Sequence, residues 1–194
     1  MAQFKNLNMK VAHYIILTTI FLFSVGAEGV KAQPILAPAK EPSGIKTGIH
    51  IGDRAPEIVL ESPAGERISL SSLRGQMVLI DFWAAWCPPC RRENPNLVRL
   101  YRQYRDQEFV NGSGFTVYSV SLDRSREDWT AAITTDSLEW HAHVSDLKGR
   151  QTAPALEYEV RSIPINFLID GDGIILAVGE RGSALEEKLK TFLK

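Results

Sequence analysis

The sequence predicts an α/β domain built on parallel strands. Residues 77–83 and 115–122 are two near-continuous runs of apolar, β-branched and aromatic side chains, which is typical of strands buried on both faces. Between these runs, Leu97, Leu100 and Tyr101 recur at helical spacing. A strand, a helix and a second strand in this order, with a connection of this length, imply a right-handed crossover between parallel strands.

The other elements are predicted from shorter local patterns. The turn residues 170–173, Asp-Gly-Asp-Gly, favour a hairpin. The predicted strands are 57–61, 67–70, 141–144, 165–169 and 174–178, and the predicted helices are 126–134, 154–158 and the amphipathic 184–193. The complete predicted order is β, β, β, α, β, α, β, α, β, β, α.

The first residues have the pattern of a secretory signal. Lys5 and Lys10 precede an apolar stretch at 11–25, with candidate cleavage sites after Ala27 and Ala32. The alternative is an uncleaved membrane anchor, although the run is shorter than the roughly 20 residues that a spanning helix prefers. We therefore predict that residues 1–32 are a signal peptide or N-terminal anchor, and that the domain is exported in either case.

The rest of the chain divides into a spacer and one domain. Residues 33–48 are rich in proline and glycine and lack apolar periodicity, which predicts a linker. Residues 49–194, about 145 in number, suffice for one hydrophobic core but not for two. The net charge of -1 provides no electrostatic footprint for nucleic acid or anionic lipid.

The chain has only two cysteines, Cys87 and Cys90. They can pair with each other, with a metal, or transiently with a sulfur of another molecule. Pro88 and Pro89 suit the first turn of a helix, which places Cys87 at a helix N-terminus. That position lowers a cysteine pKa from about 8.5 to between roughly 3.5 and 7.5. Cys87 is therefore predicted to attack disulfides and Cys90 to resolve the mixed disulfide.

Three groups of motifs resemble a known family. Residues 78–91 resemble the active-site stretch of the thioredoxin superfamily, and residues 160–173 resemble its cis-proline segment and final hairpin. Residues 52–56 and 70–75 resemble the N-terminal extension of TlpA/ResA-type thiol:disulfide oxidoreductases, in the redoxin or AhpC/TSA superfamily. The resemblance implies a thioredoxin fold with an N-terminal β-hairpin extension and an extra helix-strand insertion before the cis-proline.

The resemblance also implies roles for residues around the two cysteines. Asp81 matches a buried aspartate that relays a proton from the resolving thiol, and burial of such an acid should raise its pKa. The alternative for Asp81 is an acid at an exposed strand position. Glu93 matches a glutamate that helps to set the cysteine pKa in ResA-type proteins, although favouring the helix dipole would also explain it.

Pro164 is a further predicted catalytic residue, and Ile163 and Trp86 are predicted to bind the substrate. Pro164 matches the cis-proline, which leaves the backbone of Ile163 free to pair with an extended peptide. Trp86 is expected to shield and frame the thiolate. The usual aromatic residue of the TlpA-like insert, after the glycine at 149, is replaced here by Arg150.

These expectations together predict an exported enzyme without cofactor or metal that reduces protein disulfides through a redox-active Cys87–Cys90 disulfide. The resemblance implies a location in the bacterial periplasm or on the outer face of the inner membrane. It also implies a membrane thiol donor of the DsbD/CcdA type and a link to cytochrome c maturation, with apocytochrome c as one candidate substrate.

Two alternatives use the same cysteines. One is a disulfide-forming oxidase, which a much higher reduction potential would distinguish. The other is a metal-binding or metal-delivery module, for which His141 and His143 would have to converge with both sulfurs in a tetrahedral site. A c-type haem is disfavoured because Arg91, not histidine, follows Cys90.

Overall fold

The computed structural model describes residues 44–194. The predicted signal or anchor at 1–32 and most of the predicted linker at 33–48 lie outside the described residues. Of the linker's last residues, Thr47 forms an isolated bridge with Arg54. Within the part of the chain that the structure describes, no helix is both long and apolar enough to span a bilayer.

The described residues form nine strands and four α-helices, in addition to 3-10 turns at Leu70–Leu73 and Gly149–Gln151. In chain order these elements are β1 (Val59–Glu61), β2 (Arg67–Ser69), β3 (Met77–Trp83), α1 (Pro88–Tyr104), β4 (Glu108–Phe109), β5 (Gly112–Ser113), β6 (Phe115–Ser121), α2 (Arg126–Thr135), β7 (His143–Val144), α3 (Ala153–Glu157), β8 (Ile165–Ile169), β9 (Ile175–Val178) and α4 (Gly182–Lys190).

A five-stranded mixed sheet forms the centre of the domain, in the order β7-β6-β3-β8-β9. Strand β3 pairs in parallel with β6, from Met77 opposite Phe115 to Trp83 opposite Ser121, and antiparallel with β8 on its other side. Every residue of β3 and β6 is buried, as their continuous apolar sequences predict. The predicted α/β class and thioredoxin fold are confirmed.

The N-terminal hairpin β1-β2 is held against the sheet by buried tyrosines. The hydroxyl of Tyr118, on β6, donates to the carbonyl oxygens of Ile58 and Ile68 at 3.1 and 2.9 Å. The hydroxyl of Tyr158 donates to the carbonyl oxygen of Pro56 at 2.6 Å. These hydrogen bonds tie backbone carbonyl groups of the hairpin, and of the segment before it, to buried side chains of the domain.

The chain end differs from the sequence prediction. Helix α4 begins at Gly182 and ends at Lys190, whereas the apolar periodicity predicts 184–193. The last residues leave the helix because Leu193 bridges to Phe109, and the N–H of Val110 donates to the Phe192 carbonyl oxygen at 2.8 Å. The two-residue strands β4 and β5 were not predicted, since so short a pairing leaves no periodic pattern.

Candidate functional site

The two cysteines lie where β3 gives way to α1. Cys87 is the extended residue that caps α1, and Pro88 and Pro89 occupy the first helical positions. The two cysteines form a disulfide, and the N–H of Cys90 donates to the Cys87 sulfur at 3.2 Å. A sulfur that receives an N–H bond at the positive end of a helix is placed where a thiolate is stabilised.

The two sulfur-bearing residues differ in their access to solvent. Cys87 keeps 3% of its surface exposed, and Cys90 keeps none. Trp86, directly before them, has 54% of its surface exposed. Of the two cysteines, only Cys87 therefore presents any surface that an external disulfide could reach.

The predicted cis-proline segment faces the disulfide. The Ile163–Pro164 peptide bond is cis, and the carbonyl oxygen of Ile163 lies 3.8 Å from the Cys87 sulfur. Among residues 44–194, no group accepts a hydrogen bond from the N–H of Ile163. An extended peptide lying beside the disulfide could therefore pair with this backbone by strand addition.

Asp81 is a buried acid beneath the site. It lies on β3 between Ser119 and Asn166 of the neighbouring strands, with 3% of its surface exposed, so the exposed-acid alternative is wrong. Burial, reinforced by the charge of Glu93, raises the pKa of Asp81 from 3.8 to about 7, while Arg181 opposes the rise. Its carboxyl group forms no hydrogen bond with the residues described here. Asp81 is thus a group that can gain or lose a proton near neutral pH.

Glu93 contacts a different helix from the one that contains it. Its Oε1 atom accepts hydrogen bonds from the N–H of Gly182 at 2.9 Å and from the Asn96 side chain at 2.8 Å. Helix α4 receives no side-chain cap from its own N-cap residue, Arg181. Glu93 therefore caps α4 across 89 residues of sequence, a contact that local helix-start reasoning could not predict.

Sequence reasoning missed a polar cluster around the loop before Cys87. Asp123 accepts hydrogen bonds from the N–H of Ala85 with both carboxylate oxygens. Arg91 donates to the carbonyl oxygen of Ala85 at 3.3 Å and pairs with the carboxylate of Asp136. One signal was available: Asp123 follows a buried parallel strand at its carboxyl end, where functional residues of α/β sheets gather.

Two clefts lie beside Trp86, the residue directly before Cys87. They have volumes of about 440 and 380 Å³ and share Trp86, Asp123 and Asp128 in their walls. Arg124 and Arg150 complete the larger cleft, and Arg91 lines the smaller one. The half-exposed indole is thus a shared wall of both clefts.

The residues of the metal-binding alternative are not brought together. His143 is buried with its Nε2 atom 3.2 Å from the Leu138 carbonyl oxygen, and burial lowers its pKa to about 4. His141 is exposed. In the described range 44–194, no three His, Cys, Asp or Glu side chains cluster in a way that could hold a metal ion.

Comparison with known proteins points to one family. The family model for the AhpC/TSA family matches residues 51–178. The chain is 34% identical over 130 residues to the thioredoxin-like protein YneN of Bacillus subtilis (strain 168), covering 67% of this chain and 71% of that protein. It is 30% identical over 151 residues to the thiol-disulfide oxidoreductase ResA of Bacillus anthracis, covering 77% of this chain and 80% of ResA.

Solved structures agree with these sequence matches. A thiol-disulfide oxidoreductase from Bacteroides fragilis NCTC 9343 is 35% identical, with a TM-score of 0.65 over 72% of this chain and 98% of its own. The thioredoxin domain of a thiol-disulfide oxidoreductase from Bacteroides vulgatus is 34% identical, with a TM-score of 0.68 over 76% of this chain and 100% of that domain.

Proposed function

Because the chain belongs to the AhpC/TSA family and is a thiol:disulfide oxidoreductase, we propose that it is exported and reduces protein disulfides through Cys87 and Cys90. The observation that supports this proposal most directly is the arrangement of the Cys87–Cys90 disulfide. It lies at a helix N-terminus, with the Cys87 sulfur 3.8 Å from a backbone carbonyl of the cis-proline segment.

The reaction begins from the reduced dithiol. The Cys87 thiolate attacks a substrate disulfide, whose S–S bond breaks as a mixed disulfide forms, and the departing substrate thiolate takes up a proton. Cys90 then loses its proton and attacks the Cys87 sulfur, which releases the second substrate thiolate, and this thiolate also takes up a proton. The substrate gains two electrons and two protons, and the protein is left with the Cys87–Cys90 disulfide seen in the structure.

The second step needs a base, because Cys90 is fully buried and must give up its proton. Asp81 suits this role since its pKa of about 7 allows it to accept a proton and release it again near neutral pH. Glu93 acts on the same step through its charge, which favours the protonated form of Asp81. Neither carboxylate has to contact the substrate.

Substrate binding uses the surface around Cys87. The unpaired N–H of Ile163 offers a main-chain hydrogen bond to an extended segment, and Pro164 holds that backbone beside the sulfur. The exposed face of Trp86 offers apolar contact to the same segment. Main-chain recognition of this kind suits an enzyme that acts on disulfides in more than one sequence context.

Export is supported by the signal or anchor pattern at residues 1–32 and a reducing role by the resemblance to TlpA/ResA-type reductases. The site of action is then the bacterial periplasm or the outer face of the inner membrane. After each cycle two electrons must return to the disulfide from an external dithiol, for which a membrane donor of the DsbD/CcdA type is the proposed source. Apocytochrome c is one candidate substrate.

The test is the equilibrium reduction potential of the Cys87–Cys90 pair, titrated against glutathione or dithiothreitol with tryptophan fluorescence as the readout. A value near that of thioredoxin, about -270 mV, supports reduction, whereas a value near about -120 mV would indicate a disulfide-forming oxidase. Absence of any redox transition in metal-free protein would contradict both activities and favour metal binding.

A further inference from the structure

We propose that Asp123 is a positioning residue of the redox site, which fixes the loop 84–87 and thereby the places of Trp86 and Cys87. The inference rests on the proposed function only for its substrate assay. Asp123 does not contact the cysteines; it acts through the backbone of Ala85.

Asp123 follows the end of β6, and its carboxylate accepts hydrogen bonds from the loop 84–87. Its two carboxylate oxygens lie 3.1 and 3.0 Å from the N–H of Ala85, and one also accepts from the hydroxyl of Ser121 at 2.8 Å. Only 2% of Asp123 is exposed. A buried carboxylate is tolerated when hydrogen bonds of this kind replace its water, so the contact is maintained rather than transient.

The carbonyl group of Ala85 is held by a second residue, Arg91, which lies on α1. Arg91 donates to the carbonyl oxygen of Ala85, and its guanidinium group is fixed by Asp136, which also accepts from the side chain of Asn94 at 2.6 Å. Ala85 is therefore clamped at both its N–H and its carbonyl group. Of the two sides, the Asp123 side has the shorter bonds and the greater burial.

The clamp decides where the two neighbouring residues lie. Trp86 follows Ala85 directly, and because half of its surface is exposed, packing alone does not fix its position. The N–H of Cys87 donates to the Ala84 carbonyl oxygen at 3.1 Å, so the residue that caps α1 is tied to the same loop. Releasing Ala85 would loosen both the wall of the cleft and the placement of Cys87 at the helix start.

The charge of Asp123 and its positioning role predict opposite changes in the pKa of Cys87 when Asp123 is replaced. A nearby carboxylate disfavours a thiolate, so removal of the Asp123 charge alone should lower the pKa of Cys87. Loss of the placement at the helix N-terminus should instead raise that pKa, because the thiolate loses its N–H donors and the helix dipole. The direction of the shift therefore separates a positioning role from a purely electrostatic one.

The experiment compares Asp123→Ala and Asp123→Asn with Asp128→Asn in the full chain. Asp128 lines the same clefts, but its side chain forms no hydrogen bond with any residue in 44–194, so its variant removes the same charge and leaves the clamp intact. The pKa of Cys87 is measured in the reduced protein from the pH dependence of iodoacetamide alkylation. The kcat/KM is measured with a disulfide-linked peptide.

We expect Asp123→Ala to raise the pKa of Cys87 and to lower kcat/KM by about tenfold to hundredfold, since loss of placement in an active site has effects of this size. Asp123→Asn should show a smaller change in the same direction, because its amide oxygen still accepts one hydrogen bond from Ala85. Asp128→Asn should not raise the pKa.

A pKa of Cys87 that falls or stays constant in both folded Asp123 variants would overturn the proposal, as would equal shifts in Asp123→Asn and Asp128→Asn. Circular dichroism establishes folding, and if Asp123→Ala does not fold, Asp123→Asn alone decides. Failure of the wild-type protein to reduce the peptide would count against the proposed function, whereas the alkylation measurement would still test Asp123.

Discussion

Asp81 and Asp123 are both buried beside the redox centre, yet their surroundings differ. Asp81 lies within β3, where its carboxyl group accepts no hydrogen bond from any described residue and burial raises its pKa to about 7. Asp123 lies at the end of β6 and accepts hydrogen bonds from the Ala85 N–H and the Ser121 hydroxyl. An aspartate can therefore exchange protons or anchor a loop according to whether donors surround it, at nearly equal burial.

The largest effect is expected from changes to the two cysteines themselves. Cys87→Ser should reduce turnover to the uncatalysed background, because the remaining thiol, Cys90, is fully buried and cannot reach a substrate disulfide. Cys90→Ser should accumulate a mixed disulfide with the substrate, since the resolving thiol is lost. Turnover is followed with a disulfide-linked peptide and the trapped species by non-reducing electrophoresis. Normal turnover by Cys87→Ser would refute the scheme.

The second effect is a pH-dependent gain of stability in Asp81→Asn. The folded protein binds the Asp81 proton more tightly than the unfolded chain does. Asp81 therefore does not lower the free energy of unfolding below pH 3.8, and it lowers it increasingly as the pH rises to about 7. Above that pH this reduction reaches about 4 kcal/mol, taking 1.36 kcal/mol for each unit between 3.8 and about 7.

Urea unfolding at pH 4 and pH 8 measures this difference in the oxidised protein. Asp81→Asn should be more stable than the wild type at pH 8, and the difference should nearly vanish at pH 4. The same variant should slow release of substrate from the mixed disulfide by about a hundredfold, as expected for loss of a general base. A difference in stability between the variant and the wild type that is the same at pH 4 and pH 8 would show that Asp81 is not the titrating group.

The third effect is a loss of stability in Asp123→Ala, which is opposite in sign to the effect of Asp81→Asn. Asp123→Ala should lower the free energy of unfolding by about 1–3 kcal/mol, because the buried N–H of Ala85 loses its partner. Urea unfolding at pH 8 tests it beside Asp81→Asn. If both variants shifted stability in the same direction, the contrast between a proton-exchanging and an anchoring aspartate would be wrong.

The smallest effect concerns Glu93, which connects Asp81 to α4. Glu93→Ala should destabilise the protein by about 1 kcal/mol through loss of the cap on Gly182. Glu93→Gln keeps an oxygen acceptor and removes the charge, so it should leave the cap in place and lower the pKa of Asp81. The midpoint of the pH dependence of stability measures this pKa. An unchanged midpoint in Glu93→Gln would show that the charge of Glu93 does not reach Asp81.

Much of the fold could be predicted because its signals are local. The continuous apolar runs of β3 and β6 predict buried parallel strands, and the prolines after Cys87 predict a helix start. The burial of Asp81 also follows from its place in such a run. The two-residue pairing of β4 with β5 could not be predicted because it is too short to leave a periodic pattern, and the bridge from Phe109 to Leu193 could not be predicted because it joins distant parts of the chain.

The sequence by itself determined the chemistry of this protein: two cysteines, a helix that begins between them, and a proline segment expected to be cis. Only the tertiary structure decided what surrounds the sulfurs. Asp123 reaches Ala85 across 38 residues, and Glu93 reaches Gly182 across 89. Hydrogen bonds between distant residues depend on how the strands and helices pack, and no periodic pattern in the sequence records which donor a carboxylate will meet.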